Sequence, residues 1–229
     1  MTEDELDNQE ETSIRVLIVD DHPMVRAGAR AMLNTPGIEI IGEAGRGDQA
    51  VAMTVELKPD VVLMDIQLPD MDGVHATAAI KEQAPEVAVI VVTGSESREH
   101  IRGAVEAGAS GYILKGAPRE MLIQAVRMVQ AGGSLIDASM LAALAEDANA
   151  EADEGGLTEV ARLMASLSPR ELQVLGYLAR GMTNKEIAGE MHYSVGTVKN
   201  VVQRIIEKLG VSDRTQAAVY AVRAGLDVD

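Results

Sequence analysis

The chain has no cysteine, tryptophan or phenylalanine, and only four tyrosines among its 229 residues. Without cysteine there is no disulfide, no thiolate metal site and no thiol nucleophile. With so few aromatic rings the core must be aliphatic, and base-stacking platforms are not expected. No apolar run reaches the length of a membrane span, so no membrane association is expected. Basic residues are also scarce: 20 Lys and Arg stand against 36 Asp and Glu, a formal charge of −16. Averaged over the whole chain, that balance speaks against nucleic acid as a partner. The first thirteen residues carry six carboxylates and no base, the opposite of a secretory leader, and point to a cytoplasmic protein. What is present is ordinary: 47% hydrophobic and 24% charged residues match folded soluble domains and exclude a wholly disordered chain.

The charge is unevenly placed. Residues 1–159 hold 11 basic and 29 acidic side chains, whereas residues 160–229 hold 9 and 7. MTEDELDNQEETS (1–13) reads as a solvated, disordered tail. From Ile14 onward, β-branched runs of strand length alternate with stretches of helical period. The runs are Val16–Val19, Ile38–Ile41, Val61–Met64, Val87–Val92 and Tyr112–Leu114. Helices are predicted over Met24–Leu33, Gly47–Leu57, Val74–Gln83, Arg98–Ala107 and Pro118–Gln130. Strands that are apolar throughout are buried on both faces, which predicts an α/β doubly wound, five-stranded parallel sheet over 14–131.

After Gly132-Gly133 the composition turns to Ala, Asp and Glu, so 132–166 reads as a linker. Residues 167–229 show no strand signal and form an all-α unit of four helices: Pro169–Arg180, Asn184–Met191, Val195–Leu209 and Arg214–Ala224. Ser168-Pro-Arg-Glu171 and Thr183-Asn-Lys-Glu186 both fit a capping box. Two short helices joined by a tight connection resemble a helix-turn-helix.

In a doubly wound sheet the carboxyl ends of the strands converge, and ligand chemistry belongs there. Those ends carry Asp20 and Asp21, Asp65, Thr93 and Lys115. Clustered carboxylates repel one another unless a cation joins them, and hard oxygen ligands suit Mg²⁺. Lys115 supplies a fixed charge for an anion, Thr93 a hydroxyl, and Asp65 a carboxylate able to attack phosphorus. Together they describe phosphoryl transfer onto Asp65.

VLIVDDHP, VVLMDIQLPDMDG, VVTGS and GYILKG resemble the receiver domain of bacterial two-component response regulators, from about Ile14 to Gln130. The resemblance implies that Asp65 is the phosphoacceptor. It implies that Asp21 and Asp65 bind Mg²⁺ directly, that Asp20 acts through a water, and that the Gln67 carbonyl completes the protein ligands. It makes Thr93 and Tyr112 a switch pair, although Tyr112 also fits a plain core position. It further implies a sensor histidine kinase as phosphodonor. Asp70 and Asp72 read as turn residues, and His22 as a local packing or capping residue rather than a phosphodonor site. Gly116 follows Lys115 where many receivers carry proline.

The segment from Leu167 to Leu226, with SPREL, TNKEIA, TVKN, KLG and DRTQAA in order, resembles the LuxR-type helix-turn-helix of NarL/FixJ regulators. Its third helix would enter the major groove of promoter DNA. Apolar spacing turns Val198, Val202, Ile205, Ile206 and Leu209 inward and leaves Lys199, Asn200, Gln203 and Arg204 outside. By family position Lys199 and Asn200 contact bases, and Gln203 and Arg204 contact bases or backbone. Thr197, Thr183 and Lys185 fall to phosphates. The last helix shows Ala217, Ala218, Val219, Ala221 and Val222, expected as the face of an active homodimer.

The sequence therefore reads as a response regulator in which phosphorylation controls transcription. An aspartyl phosphatase is the rival enzyme reading, but it needs a second carboxylate two residues after Asp65, where Gln67 stands. A third reading keeps both domains without the switch, as a constitutive DNA binder or an interaction module controlled by a partner.

Overall fold

The computed structural model describes residues 13–94, 97–136, 160 and 162–226. Ser95 of the VVTGS motif, nearly all of the acidic tail and most of the expected linker lie outside the described residues. The first unit alternates β1 (Ile14–Val19), α1 (Pro23–Leu33), β2 (Ile38–Ala44), α2 (Gly47–Leu57), β3 (Val61–Asp65), α3 (Gly73–Gln83), β4 (Ala88–Thr93), α4 (Arg98–Glu106), β5 (Gly111–Leu114) and α5 (Arg119–Gln130). The strands are all parallel and ordered β2-β1-β3-β4-β5. This is the doubly wound sheet expected from the apolar runs.

Side chains alternate across the sheet, and each face meets its own helices. Val16, Ile18, Val61, Leu63 and Ile90 pack beneath α5 residues such as Leu122 and Val126. Leu17, Val19, Val62, Met64 and Val89 face the opposite way, against Ala50 of α2 and Ala76 and Ile80 of α3. Burying both faces is what a run such as Val16-Leu17-Ile18-Val19 is for. Truncating Leu17, which is fully buried, to Ala should cost about 3 kcal/mol.

The second unit is helical: after a helical stretch at 162–165 come α6 (Pro169–Ala179), α7 (Asn184–Met191), α8 (Val195–Leu209) and α9 (Arg214–Arg223). Both expected capping boxes form, Ser168 with Glu171 and Thr183 with Glu186. Val198, Val202, Ile205 and Leu209 face the core as the spacing requires, joined by Val201, while Ile206 is half-buried.

Two sequence readings need correction. Ala217, Ala218 and Ala221 do not form a surface: they are buried against the other helices of their own unit, because small side chains let α9 and α6 approach closely. Nor is all of 132–166 a free linker. The Leu135 amide donates to the Ser110 carbonyl at 3.1 Å, and Ile136 is buried in the core of the helical unit together with Val105 of α4. The two units therefore share a packed junction.

Candidate functional site

Asp20 follows the last residue of β1, and its amide donates to the Ala44 carbonyl at 3.1 Å, which carries the strand pairing one step further. Asp20 and Asp65 are both buried. Lys115, just past β5, reaches back between them: its Nζ is 2.8 Å from Asp20 Oδ2 and 2.8 Å from Asp65 Oδ2. The other Asp20 oxygen accepts from the His22 amide at 2.8 Å. His22 sits at the amino end of α1, but its side chain is exposed and makes no capping bond there; its Nδ1 lies against Asp21 instead, so the expected capping role is not what the structure gives. Gly73 packs against the Asp65 carbonyl so closely that any Cβ there would collide with it.

Burial raises the Asp65 pKa, and the Asp20 charge adds to the rise; the Lys115 hydrogen bond and the Gln67 amide oppose it without cancelling it. Burial alone would lower Lys115, but its bonds to Asp20 and Asp65 prevail and hold it above its ordinary value. Two buried carboxylates thus share one ammonium. Asp20, Asp21 and His22 offer ligand atoms within 4.8 Å of one another, an acidic cluster of the kind that holds Mg²⁺.

Thr93 ends β4, buried, and the Lys115 amide donates to its carbonyl at 2.6 Å. Tyr112 pairs with Val91, so Tyr112 and Thr93 project to the same side of the sheet as diagonal neighbours. There Tyr112 is half-buried against Ala104 of α4. Gln67 is exposed just past β3. Gly116 adopts φ +94°, which proline cannot reach, so the departure from proline after Lys115 belongs to this backbone path.

The turn aspartates do more than close a turn. Asp70 accepts from the amides of Gly47 and Asp48, both at 2.9 Å, and so caps α2; these bonds hold its carboxyl well below the usual range. Asp72 caps α3 through the Val74 amide.

On α8, Lys199, Asn200, Gln203 and Arg204 are all exposed. Arg204 Nε donates to the Asn200 carbonyl at 3.2 Å, and Gln203 bonds Glu207. Thr197 is bonded to Ser194 at the start of the helix, Lys185 is exposed, and the Thr183 hydroxyl is taken up by its capping box. Lys199 and Gln203 line a cleft of about 740 Å³ whose other wall is the first unit, at Lys81, Glu86 and Gln130.

That junction is where sequence reasoning missed residues. Gln216 of α9 donates to the Glu106 carbonyl at 2.7 Å. Arg214, buried, donates to Met182 O at 2.6 Å and to Asn184 Oδ1 at 3.2 Å, with Asn184 packed on Gly132. Burial lowers Lys81 and raises Asp213, while the charge of each opposes the other's shift across the boundary. Asp213, Arg214 and Gln216 fall within DRTQAA and Asn184 within TNKEIA, but those motifs speak only for the helical unit, and nothing local shows that these residues meet the first unit or that Lys81 is buried.

Residues 16–127 match the model of the response regulator receiver domain, and residues 165–221 match that of bacterial regulatory proteins of the luxR family. The chain belongs to the NarL/FixJ response regulators. Like other members, this regulator is a signalling protein rather than a metabolic enzyme. It is 38% identical over 215 residues to response regulator protein VraR of Staphylococcus aureus, an alignment covering 93% of this chain and 99% of that protein. A LuxR-family two-component response regulator from Aurantimonas is 32% identical with a TM-score of 0.53, over 59% of this chain and 97% of that one. RcsB of Salmonella typhimurium is 25% identical with a TM-score of 0.52, over 87% and 93%. In this response regulator the receiver implies a histidine kinase partner and the helix-turn-helix implies DNA binding.

Proposed function

We propose that a sensor histidine kinase phosphorylates this regulator on Asp65 and that the phosphoryl group releases its helix-turn-helix to bind promoter DNA. The observation that carries the reading is Asp65 itself, buried at a strand end and held with Asp20 on the Lys115 ammonium. An Asp65 carboxylate oxygen attacks phosphorus in line; the P–N bond to the donor imidazole breaks, and its electron pair leaves on nitrogen. Lys115 and the Thr93 hydroxyl receive charge on the phosphoryl oxygens. Asp21, Asp65 and the Gln67 carbonyl would hold Mg²⁺ directly and Asp20 through water, the metal neutralising oxygen charge when bound.

Thr93 moves toward the new phosphoryl group and Tyr112 turns into the space it leaves. Their shared face abuts α4, whose carboxyl end Gln216 holds. Phosphorylation thereby loosens the junction. Opening frees Lys199 and Asn200 for bases and Gln203 and Arg204 for bases or backbone, with Thr197 and Lys185 on phosphates, the amide and hydroxyl donors of Thr183 being committed to its capping box. The active species is a homodimer on paired half-sites, working in the cytoplasm. Because the small alanines of α9 are internal, its dimer contacts fall to Val219 and Val222.

The test is acyl-phosphate labelling with Mg²⁺ and a small phosphodonor, followed by DNA binding. Wild type takes up alkali-labile label and binds promoter DNA more tightly. Label retained in Asp65→Asn would overturn the assignment, and a phosphorylated protein with unchanged DNA affinity would leave a constitutive binder.

A further inference from the structure

We propose that Arg26 is a positioning residue for the acidic pocket, setting the Asp20-Asp21 loop for its cation through the Asp20 main chain. Arg26 lies on the first turn of α1 and is largely buried, its side chain 19% exposed. Its Nη1 donates to the Asp20 carbonyl at 2.6 Å, and its Nε donates to Glu43 Oε2 at 3.2 Å. Glu43 is itself gripped by Arg30, Nε to Oε1 at 2.7 Å, and the two arginines hold its carboxyl below its ordinary value, Arg30 foremost. The guanidinium is therefore anchored from β2 and aimed at β1.

The loop it holds is restrained at several other points, but not at the peptide between Asp20 and Asp21. Asp20 is pinned by its amide to Ala44 and by its carboxylate to Lys115 and the His22 amide, whereas among the described residues the donor to its carbonyl is Arg26. That carbonyl belongs to the peptide that leads into Asp21, so its orientation fixes where the Asp21 side chain starts. Partners that orient metal ligands commonly control affinity about tenfold. A planar guanidinium can satisfy two acceptors at fixed angles, which a lysine ammonium cannot do.

Charge and geometry predict opposite signs, which makes the idea testable. Arg26 is a cation near a cation site, so removing its charge should tighten metal binding if Coulomb repulsion were its role. A positioning role predicts weaker binding instead. Arg26→Lys keeps the charge and loses the two-point grip, so only geometry can change its affinity.

This inference rests on the reading of the pocket as a divalent-cation site. The experiment is Mn²⁺ titration of the full chain by electron paramagnetic resonance, with Mg²⁺ competition, on wild type, Arg26→Met, Arg26→Lys and Glu43→Gln. Thermal melts accompany each protein. The expected result is Kd raised about tenfold in Arg26→Met and several-fold in the other two. In labelling assays the half-saturating Mg²⁺ concentration rises by the same factor, and the rate at saturating Mg²⁺ is unchanged. Should Arg26→Met fail to fold, Glu43→Gln and Arg26→Lys carry the test. Folded variants with wild-type or tighter Kd would overturn the positioning role alone. A wild type that binds no Mn²⁺ would overturn the cation-site reading and this role with it.

Discussion

Gln216, in the last helix of the DNA-binding unit, donates its side-chain amide to the main-chain oxygen of Glu106, 110 residues earlier, at 2.7 Å. The same nitrogen lies 3.4 Å from the Val105 carbonyl. The last carbonyls of a helix lack partners within it, so a residue from one unit completes a helix of the other. Because α4 packs against Tyr112 and follows the Thr93 loop, a change there is felt directly at this bond.

Replacing Gln216 with Leu keeps the bulk and removes the donor to the first unit, together with the Oε1 that accepts from the Ser212 amide at 3.2 Å within its own unit. One hydrogen bond contributes about 1 kcal/mol, so the closed arrangement should weaken about fivefold. Unphosphorylated Gln216→Leu is expected to bind promoter DNA several-fold more tightly than wild type by fluorescence anisotropy, with a smaller gain on phosphorylation. An unchanged resting affinity would remove Gln216 from the coupling.

Gly108 faces the same junction. It sits at φ +91°, and a Cβ there would lie 2.6 Å from Asp213 Oδ2 and 2.8 Å from Ser212 Oγ. Gly108→Ala should push α9 away from the receiver. Small-angle scattering should show a larger radius of gyration for the resting variant, and a glutamate-specific protease should cut between the units faster, since residues 128–161 hold four glutamates and no Lys or Arg. A compact, resistant variant would contradict the packing described.

Much of this molecule is written in local pattern. The strand runs, the carboxylates at their ends and the Ser168-Glu171 and Thr183-Glu186 boxes lie within a few residues of the structure they specify, so periodicity and capping chemistry reveal them. The junction is different. Gln216 with Glu106, and Lys81 facing Asp213, are pairs distant in sequence: Lys81, Glu106 and Gln216 each fit an ordinary helix face and Asp213 an ordinary helix cap, and nothing local tells which partner each one meets. The alanines of α9 misled for a related reason: small side chains suit both a close internal crossing and an exposed contact face, and only the neighbouring α6 decides between them. Arg26 is likewise invisible until β2 brings Glu43 beside it.

Glu171 gives a pH dependence of defined sign. The Lys208 ammonium at 2.8 Å, then the Ser168 amide, lowers its pKa from 4.5 to about 2. A carboxyl depressed in the folded state stabilises above its unfolded value, and that contribution is lost as pH falls toward the folded one. Glutamine can still close the capping box but cannot pair with the Lys208 charge. Glu171→Gln should therefore melt below wild type at neutral pH, with the gap narrowing from about pH 4.5 downward. A gap independent of pH would assign the effect to packing.

The acidic balance of the chain bears on how it reads DNA. The block from 160 onward has 9 basic and 7 acidic side chains, so no broad positive field draws the helix-turn-helix onto a duplex. Affinity must come from a few placed side chains, and these divide by role. Removing one cation from a phosphate should reduce the slope of log K against log salt by about 0.9. Lys185→Gln, at a phosphate position, is expected to lower that slope by about this much per protomer and to weaken all sequences alike. Lys199→Gln, at a base position, should leave the slope nearly unchanged while compressing the ratio of specific to non-specific affinity by about 1–3 kcal/mol per half-site. Anisotropy titrations at several salt concentrations, on a selected promoter site and a scrambled one, separate the two. The reverse pattern would exchange the roles of these lysines and place α7, which carries Lys185, rather than α8 against the bases.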